Sequence, residues 1–313
     1  MYVRNRKKCN FVKTIQKILR NYDLGRLKTY ALLTNGFANK NYRIETEKGV
    51  FLYRICKQLS LKGVQNEIKF LHLLKQANFP AAYPIKKNDG TYLNHADNNP
   101  IIIYDFIEGG IPELNHKTVG EIGKAVAKLN IIEGWESFQK SNFINIDGAI
   151  KLTDKFVKAK YQYPDIFNDF TEAISYLKDK ITNDLPRGFI HADVFPDNTI
   201  FAGDKLMALI DFECFCVDNL LFDIAMAING FCFENNRLNI DLATSLLDTY
   251  STVRPLTKNE KKHLPNYILW AAVGMASWHL QNDMLNNKTD KQTARARELL
   301  DRYKGIKKLG ITF

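Results

Sequence analysis

The feature of this chain that most restricts its fold is a change of hydrophobic period near residue 108. Up to that point β-formers alternate in short runs, "LKTYALLT", "KNYRIET" and "GVFLYRI". The first two flank the loop "NGFANK", and the third is entered through Gly49. One helix interrupts them, LKGVQNEIKFLHLLKQA, capped by Ser60 and carrying Val64, Ile68, Leu71 and Leu74 at helical spacing. After the loop "NFPAAYPIKKNDG" come a short strand "TYL" and a buried strand "PIIIYDFI", and "EGG" closes the pattern. Beyond it the repeat is helical: HKTVGEIGKAVAKLNII, one or two helices within 151–183, "LLFDIAMAINGFCF", and a long helix holding "YILWAAVGMASWHL". A Thr257…Glu260 capping box opens that long helix, and a charged helix, KTDKQTARARELLDRYKG, ends the chain. Strands gathered ahead of helices predict an α+β fold of two lobes: a small antiparallel-sheet lobe over 1–107 and a larger, mainly helical lobe over 108–313.

Composition narrows the function classes. No apolar run approaches the roughly 18 residues a bilayer-crossing helix needs, so no membrane span is expected. The first twenty residues hold seven bases and no acid, without the apolar core of a signal peptide. They read as a solvated basic tail leading into an amphipathic helix with Phe11, Ile15, Ile18 and Leu19 on one face. The five cysteines form no C-x-x-C pair, and with no signal peptide the expected compartment is the cytoplasm. Cys214 and Cys216 read as buried free thiols. The formal charge is +10, but the bases are dispersed and no nucleic-acid-binding motif occurs.

Against that basic background, the stretch from His191 to Asp223 carries seven acids and one base, among strongly apolar neighbours. His191, Asp193 and Asn198 spell H-x-D-x-x-x-x-N, and Asp211 follows in "LIDF". "NTIF" and "LMALI" flank the turn "AGDK". A hairpin closed with Ala202 opposite Lys205 sets Asn198 opposite Leu209, with Asp211 two residues further along. One amide oxygen and one carboxylate make an incomplete shell, which suits Mg²⁺ completed by waters and phosphate oxygens. Asp193, separated from Asn198 by the helix-breaking Pro196, can then accept a proton from an attacking hydroxyl. The carboxylates are tolerated because a metal–nucleotide complex shares their charge.

The segment resembles the catalytic and metal loops of the aminoglycoside phosphotransferase and choline kinase group, and most closely those of its homoserine kinases. The likeness runs from "YDLG" near residue 22 to about residue 284 and is densest in "NGFANKNY", "IHADVFPDNTIFAGDKLMALIDF" and "YSTVRPLT". It implies the protein-kinase-like two-lobed fold, ATP and Mg²⁺, Asp193 as catalytic base, Asn198 and Asp211 as Mg²⁺ ligands, and His191 shaping the loop. The phosphoryl-transfer template also asks for a base on the third strand paired with a helix glutamate, and Arg54 and Glu67 stand at those places. Arginine for lysine keeps the charge and forks onto phosphates. Gly36, Asn39 and Asn41 belong to the expected phosphate-covering loop, and Asp105, Phe106 and Ile107 to the adenine-binding hinge.

The expected acceptor is a small amino alcohol or hydroxy amino acid. Glu213, Asp218 and Asp223 are candidates to face its amine, and Trp278 and His279 to line its pocket. Asp223 reads equally as a helix cap or as an anchor for the catalytic loop. Homoserine kinases of this group are expected to hold the acceptor carboxylate with arginines in the helix containing "VGMASWHL". Here Gly274 and His279 stand near those places, and Asn130 replaces the histidine of "A-x-L-H". Choline, ethanolamine or an aminoglycoside therefore stay open as acceptors, as does a non-catalytic pseudokinase-like binding module. Scattered histidines speak against a metal phosphohydrolase, and the lack of D-F-G and A-P-E segments against a protein kinase. Monomer and dimer are left open.

Overall fold

A computed structural model of the chain describes residues 2–33, 39–159, 163–285 and 290–311, with side chains undescribed at 2–9, 159, 283–285 and 290. The chain divides into two compact units. The first is Met1–Ile111 with Thr199–Gly203 and Met207–Glu213; the second is Pro112–Asn198 with Asp204–Leu206 and Cys214–Phe313.

The first unit is built on an antiparallel sheet of five strands, β1 (Leu27–Leu33), β2 (Lys40–Thr46), β3 (Gly49–Ile55), β4 (Asn94–Ala96) and β5 (Asn99–Asp105), in the order β1-β2-β3-β5-β4. Helix α1 (Tyr2–Leu19) covers one face, and its Ile15, Ile18 and Leu19 are buried against Ile44, Phe51, Tyr53, Ile101 and Ile103. Each such aliphatic side chain contributes ~1.5–3 kcal/mol on burial. Helix α2 (Leu61–Gln76) starts where the Ser60 hydroxyl accepts the Gly63 N–H, and it buries Val64, Ile68, Phe70, Leu71 and Leu74. The short strand expected at "TYL" instead lies at Asn94–Ala96, where the residues after Asn99 supply its partner.

The expected single cut at residue 107 differs from this division in two ways. The boundary lies at 111, and 199–203 and 207–213 group with the first unit. The reason is packing. Gly110 and Phe201 exchange backbone hydrogen bonds of 2.9 and 2.8 Å, and the Leu209 N–H donates to the Pro80 carbonyl. Phe212 sets its ring edge-on to Phe70 and Phe79, with centroids 5.7 and 6.1 Å away.

The second unit holds α3 (His116–Asn130), α4 (Ile146–Ala159), α5 (Pro164–Leu177), α6 (Leu221–Phe231), α7 (Ile240–Ser251), α8 (Lys258–Leu285) and α9 (Asp290–Leu309). Nearly all of α6 is buried, so it forms the centre of this unit. The capping box at the start of α8 is present: Glu260 N–H donates to the Thr257 hydroxyl, and Thr257 N–H donates to the Glu260 carboxylate. Helix α7, which the hydrophobic pattern did not announce, is capped by Asn239 through the Leu242 N–H. Four short strands remain: β6 (Arg187–Ile190) pairs with β9 (Cys216–Asn219) in this unit, and β7 (Thr199–Ala202) pairs with β8 (Lys205–Leu209), of which β7 and Met207–Leu209 belong to the first unit.

Candidate active site

Strand β6 is buried from Gly188 onward and delivers the chain directly into His191–Asp193. Ala192 has φ of 66°, and among the described residues it is the one residue other than Asn, Asp and Gly at positive φ. That conformation costs ~1–3 kcal/mol and persists only where its surroundings impose it. Here the imposing group is Asp223. Its fully buried carboxylate accepts the His191 N–H at 2.7 Å and the Ala192 N–H at 2.8 Å. Bonds from N–H groups to a charged acceptor contribute ~1.5–3 kcal/mol each, enough to hold the strained turn. Asp223 is thus the anchor of the loop, which corrects its reading as an amine-facing group. Burial pushes its pKa up to about 7, even though the two backbone N–H groups and the Asn130 amide pull it down.

Asp193 comes next and is half-buried. Asn198 ends a one-turn helix over Pro196–Asn198, and its Nδ2 donates to Asp193 Oδ2 at 2.8 Å and to the Asp193 carbonyl at 2.9 Å. Asn198 thereby fixes the Asp193 carboxylate and turns its own Oδ1 away from it.

The anchor is itself supported by a chain of polar contacts that the sequence did not reveal as a unit. Asn130 Nδ2 donates to the Phe189 carbonyl at 3.0 Å, and its Oδ1 accepts the Tyr250 hydroxyl at 2.9 Å. Arg254 Nη1 donates to the Tyr250 hydroxyl at 3.0 Å, and Nη2 pairs with the fully buried Glu260 at 2.8 Å. The available signal was "VRPLT": an arginine three residues before a capping threonine.

In the first unit, Arg54 on β3 is buried among three carboxylates. Nη2 lies 2.6 Å from Asp211 and 3.0 Å from Glu213, and Nη1 lies 3.5 Å from Glu67. Burial alone would lower its pKa, but the Asp211 and Glu67 carboxylates outweigh that and hold it well above the ordinary arginine value. The expected pairing with Glu67 is therefore the longest of three. Glu213, which the sequence assigned to the acceptor, belongs to this cluster. Asn39 Nδ2 also donates to Glu213 at 2.6 Å, and Asn39 Oδ1 accepts the Lys57 N–H. Asn41 lies opposite Arg54 in the β2–β3 register. Gly36 lies outside the described residues. Asp105 ends β5, Phe106 carries the Arg43 guanidinium 5.4 Å from its ring centroid, and Ile107 is half-buried.

The remaining candidates separate. Asp218 accepts the Asn142 amide at 2.9 Å. His279 engages Gln292 of α9 through Nδ1, and burial lowers its pKa. Trp278 is half-buried beside it, with ring centroids 4.9 Å apart. Cys216 is buried, while Cys214 is half-buried rather than buried as expected.

The donor set is chemically suited to a magnesium–nucleotide complex. Arg54 adjoins three carboxylates, Asp211, Glu213 and Glu67, and carboxylate oxygens are the donors a hard cation prefers. Asp211, with a third of its side chain exposed, also has a positive φ of 66°. Among the described residues no group of three His, Cys, Asp or Glu is placed to hold a metal ion.

A solved amicoumacin kinase in complex with AMP-PNP, Ca²⁺ and Ami superposes on this chain with a TM-score of 0.72, at 15% identity and covering 97% and 96% of the two chains. A microcompartment-associated aminopropanol kinase gives 0.73 at 16% identity, covering 95% and 97%. The fold is the protein-kinase-like one of small-molecule phosphotransferases. The phosphotransferase enzyme family matches residues 29–256, and the chain belongs to that family. Homoserine kinase of Sinorhizobium fredii is 32% identical over 252 residues, covering 78% of this chain and 76% of the relative. Homoserine kinase of Parvibaculum lavamentivorans is 30% identical over 258 residues, covering 80% and 79%. The chain is a small-molecule kinase, homoserine kinase-like in sequence, that uses ATP with Mg²⁺ and takes an alcohol group as acceptor.

Proposed function

We propose that this kinase phosphorylates the side-chain hydroxyl of homoserine, with Asp193 receiving or orienting the hydroxyl proton. The observation that carries the reading is the loop geometry. A buried carboxylate, Asp223, fixes the strained backbone immediately before Asp193, and Asn198 fixes the Asp193 side chain. Such preorganisation suits proton acceptance from a positioned hydroxyl. The curated homoserine kinases that match most of the chain supply the acceptor.

In this reading Asn198 and Asp211 give oxygens to Mg²⁺, and Arg54, held by Glu67 and Glu213, faces the nucleotide phosphates. Asn39 and Asn41, before and at the start of β2, lie over them, and the backbone at Asp105–Ile107 takes the adenine. When bound, Mg²⁺–ATP supplies a γ-phosphoryl group whose charge is partly neutralised. The acceptor hydroxyl would attack the γ-phosphorus in line as its bond to the bridging oxygen breaks and ADP leaves, with the hydroxyl proton passing to Asp193 and no phosphoenzyme. We assign the enzyme to the cytoplasm, with a small hydroxy amino acid as its partner and neither nucleic acid nor membrane. Among the described residues no helix is long and apolar enough to cross a bilayer.

Asp193→Asn tests the role of the base. Turnover falls on the order of a hundred- to ten-thousandfold, as for loss of a general base, while ATP affinity by titration calorimetry changes little. Loss of ATP binding in that variant would contradict the assignment.

A further inference from the structure

A hydroxy amino acid brings a carboxylate that some cation must meet, and positions 274 and 279 of α8 do not present one. A Cβ on Gly274 would lie 2.6 Å from Ile144 Cγ2, so a loop over residues 138–146 already fills that place. His279 is turned toward Gln292. The loop that closes on α8, however, carries a base of its own.

The loop is fixed to the β6–β9 ribbon along its length. Phe138 packs edge-on against Phe189 and Phe215, with centroids 5.1 and 5.8 Å away. The Val217 N–H donates to the Lys140 carbonyl at 2.8 Å. Asn142, itself buried, donates to Asp218 at 2.9 Å and accepts the Ile144 N–H at 2.9 Å. These contacts direct the Lys140 ammonium over the Phe215 ring, 4.3 Å from its centroid. Phe215 immediately precedes Cys216, which pairs with Ile190, and Ile190 leads into His191–Asp193. The ammonium is thus carried at the end of the ribbon from which the catalytic loop departs. The Cys216 thiol, raised first by burial, is raised further by Asp218 and Asp223 and drawn down by Lys140, so these charges gather around one buried atom.

We propose that Lys140 is the specificity-determining cation that takes the acceptor's carboxylate, and that the Asn142–Asp218 hydrogen bond positions it. The proposal rests on the homoserine reading above. It makes Lys140 the residue that separates a hydroxy amino acid from an amino alcohol of the same length.

The test compares Lys140→Met, Lys140→Arg and wild type with L-homoserine and with the amino alcohol that is homoserine without its carboxylate. Loss of one charge-assisted bond raises the homoserine KM of Lys140→Met about 10- to 100-fold. The KM for ATP and the weak turnover of the amino alcohol stay unchanged, and Lys140→Arg restores the homoserine KM to within about threefold because it keeps the charge. A purely structural role would instead move ATP and both acceptors together. Turnover of homoserine by wild type with an unchanged KM in Lys140→Met overturns this inference and leaves the homoserine reading intact. Absence of homoserine turnover in wild type overturns both.

Discussion

Asp223 shows how one residue can set a pH dependence. Its pKa in the folded protein, raised by burial from 3.8 to about 7, means that the native state keeps a proton there which the unfolded chain would release. The stability this confers is complete below 3.8 and is lost as pH rises through about 7. Its two backbone acceptor contacts call for the ionised form, so activity runs the other way. The pH–rate profile has an acidic limb centred near pH 7. The Asn130 amide draws that pKa down, so Asn130→Ala moves the limb to higher pH. A limb that stays in place in Asn130→Ala contradicts the assignment. Arg54 makes a second prediction at this scale. Arg54→Met leaves Glu67 and Glu213 buried without their counter-ion and costs about 3–5 kcal/mol in urea unfolding. It also abolishes ATP binding, whereas Arg54→Lys retains part of both.

Among the elements, the close approach of α3 to α7 depends on Gly123, where a Cβ would lie 2.4 Å from the Leu246 carbonyl and 2.5 Å from the Thr249 hydroxyl. Gly123→Ala forces the helices apart, which costs about 1–3 kcal/mol as overpacking, and calorimetry shows a lowered Tm. The opposite bound, an unchanged Tm, would mean that α7 shifts freely. The helices and strands were largely legible in the sequence. The boundaries of β3, the Ser60 cap and the Thr257–Glu260 box follow from local periodicity and capping chemistry. Helix α7 was not, because its apolar residues are diluted by Asp, Thr and Ser. In the candidate site, the residues of the H-x-D-x-x-x-x-N spacing were legible because they lie within one short stretch. The partner of Glu213, Arg54, and those of Asp223, the His191–Ala192 backbone, lie more than thirty residues away in sequence, so local pattern left Asp223 open between an amine-facing group and a loop anchor. The Asn130–Tyr250 link of the supporting chain was hidden for the same reason, whereas Arg254 lies one helical turn from Tyr250 and was signalled by "VRPLT".

At the scale of the whole molecule, a chain of charge +10 keeps a run of acids in and around its catalytic loops. Burial makes such carboxylates costly unless a bond or an ion meets each one. Asp223 meets backbone N–H groups, Asp193 meets Asn198, and Glu213 and Asp211 meet Arg54. The Asp211 carboxylate is also the one assigned above to Mg²⁺. The central claim is that this arrangement phosphorylates homoserine. The most direct measurement is acceptor-dependent ADP release from Mg²⁺–ATP with L-homoserine, set beside choline, ethanolamine, threonine and aminoglycosides, with Asp193→Asn as the blank. The account predicts turnover with homoserine well above every other acceptor and lower by about a hundredfold or more in Asp193→Asn. Preference for an acceptor without a carboxylate, or homoserine turnover that survives in Asp193→Asn, would contradict it.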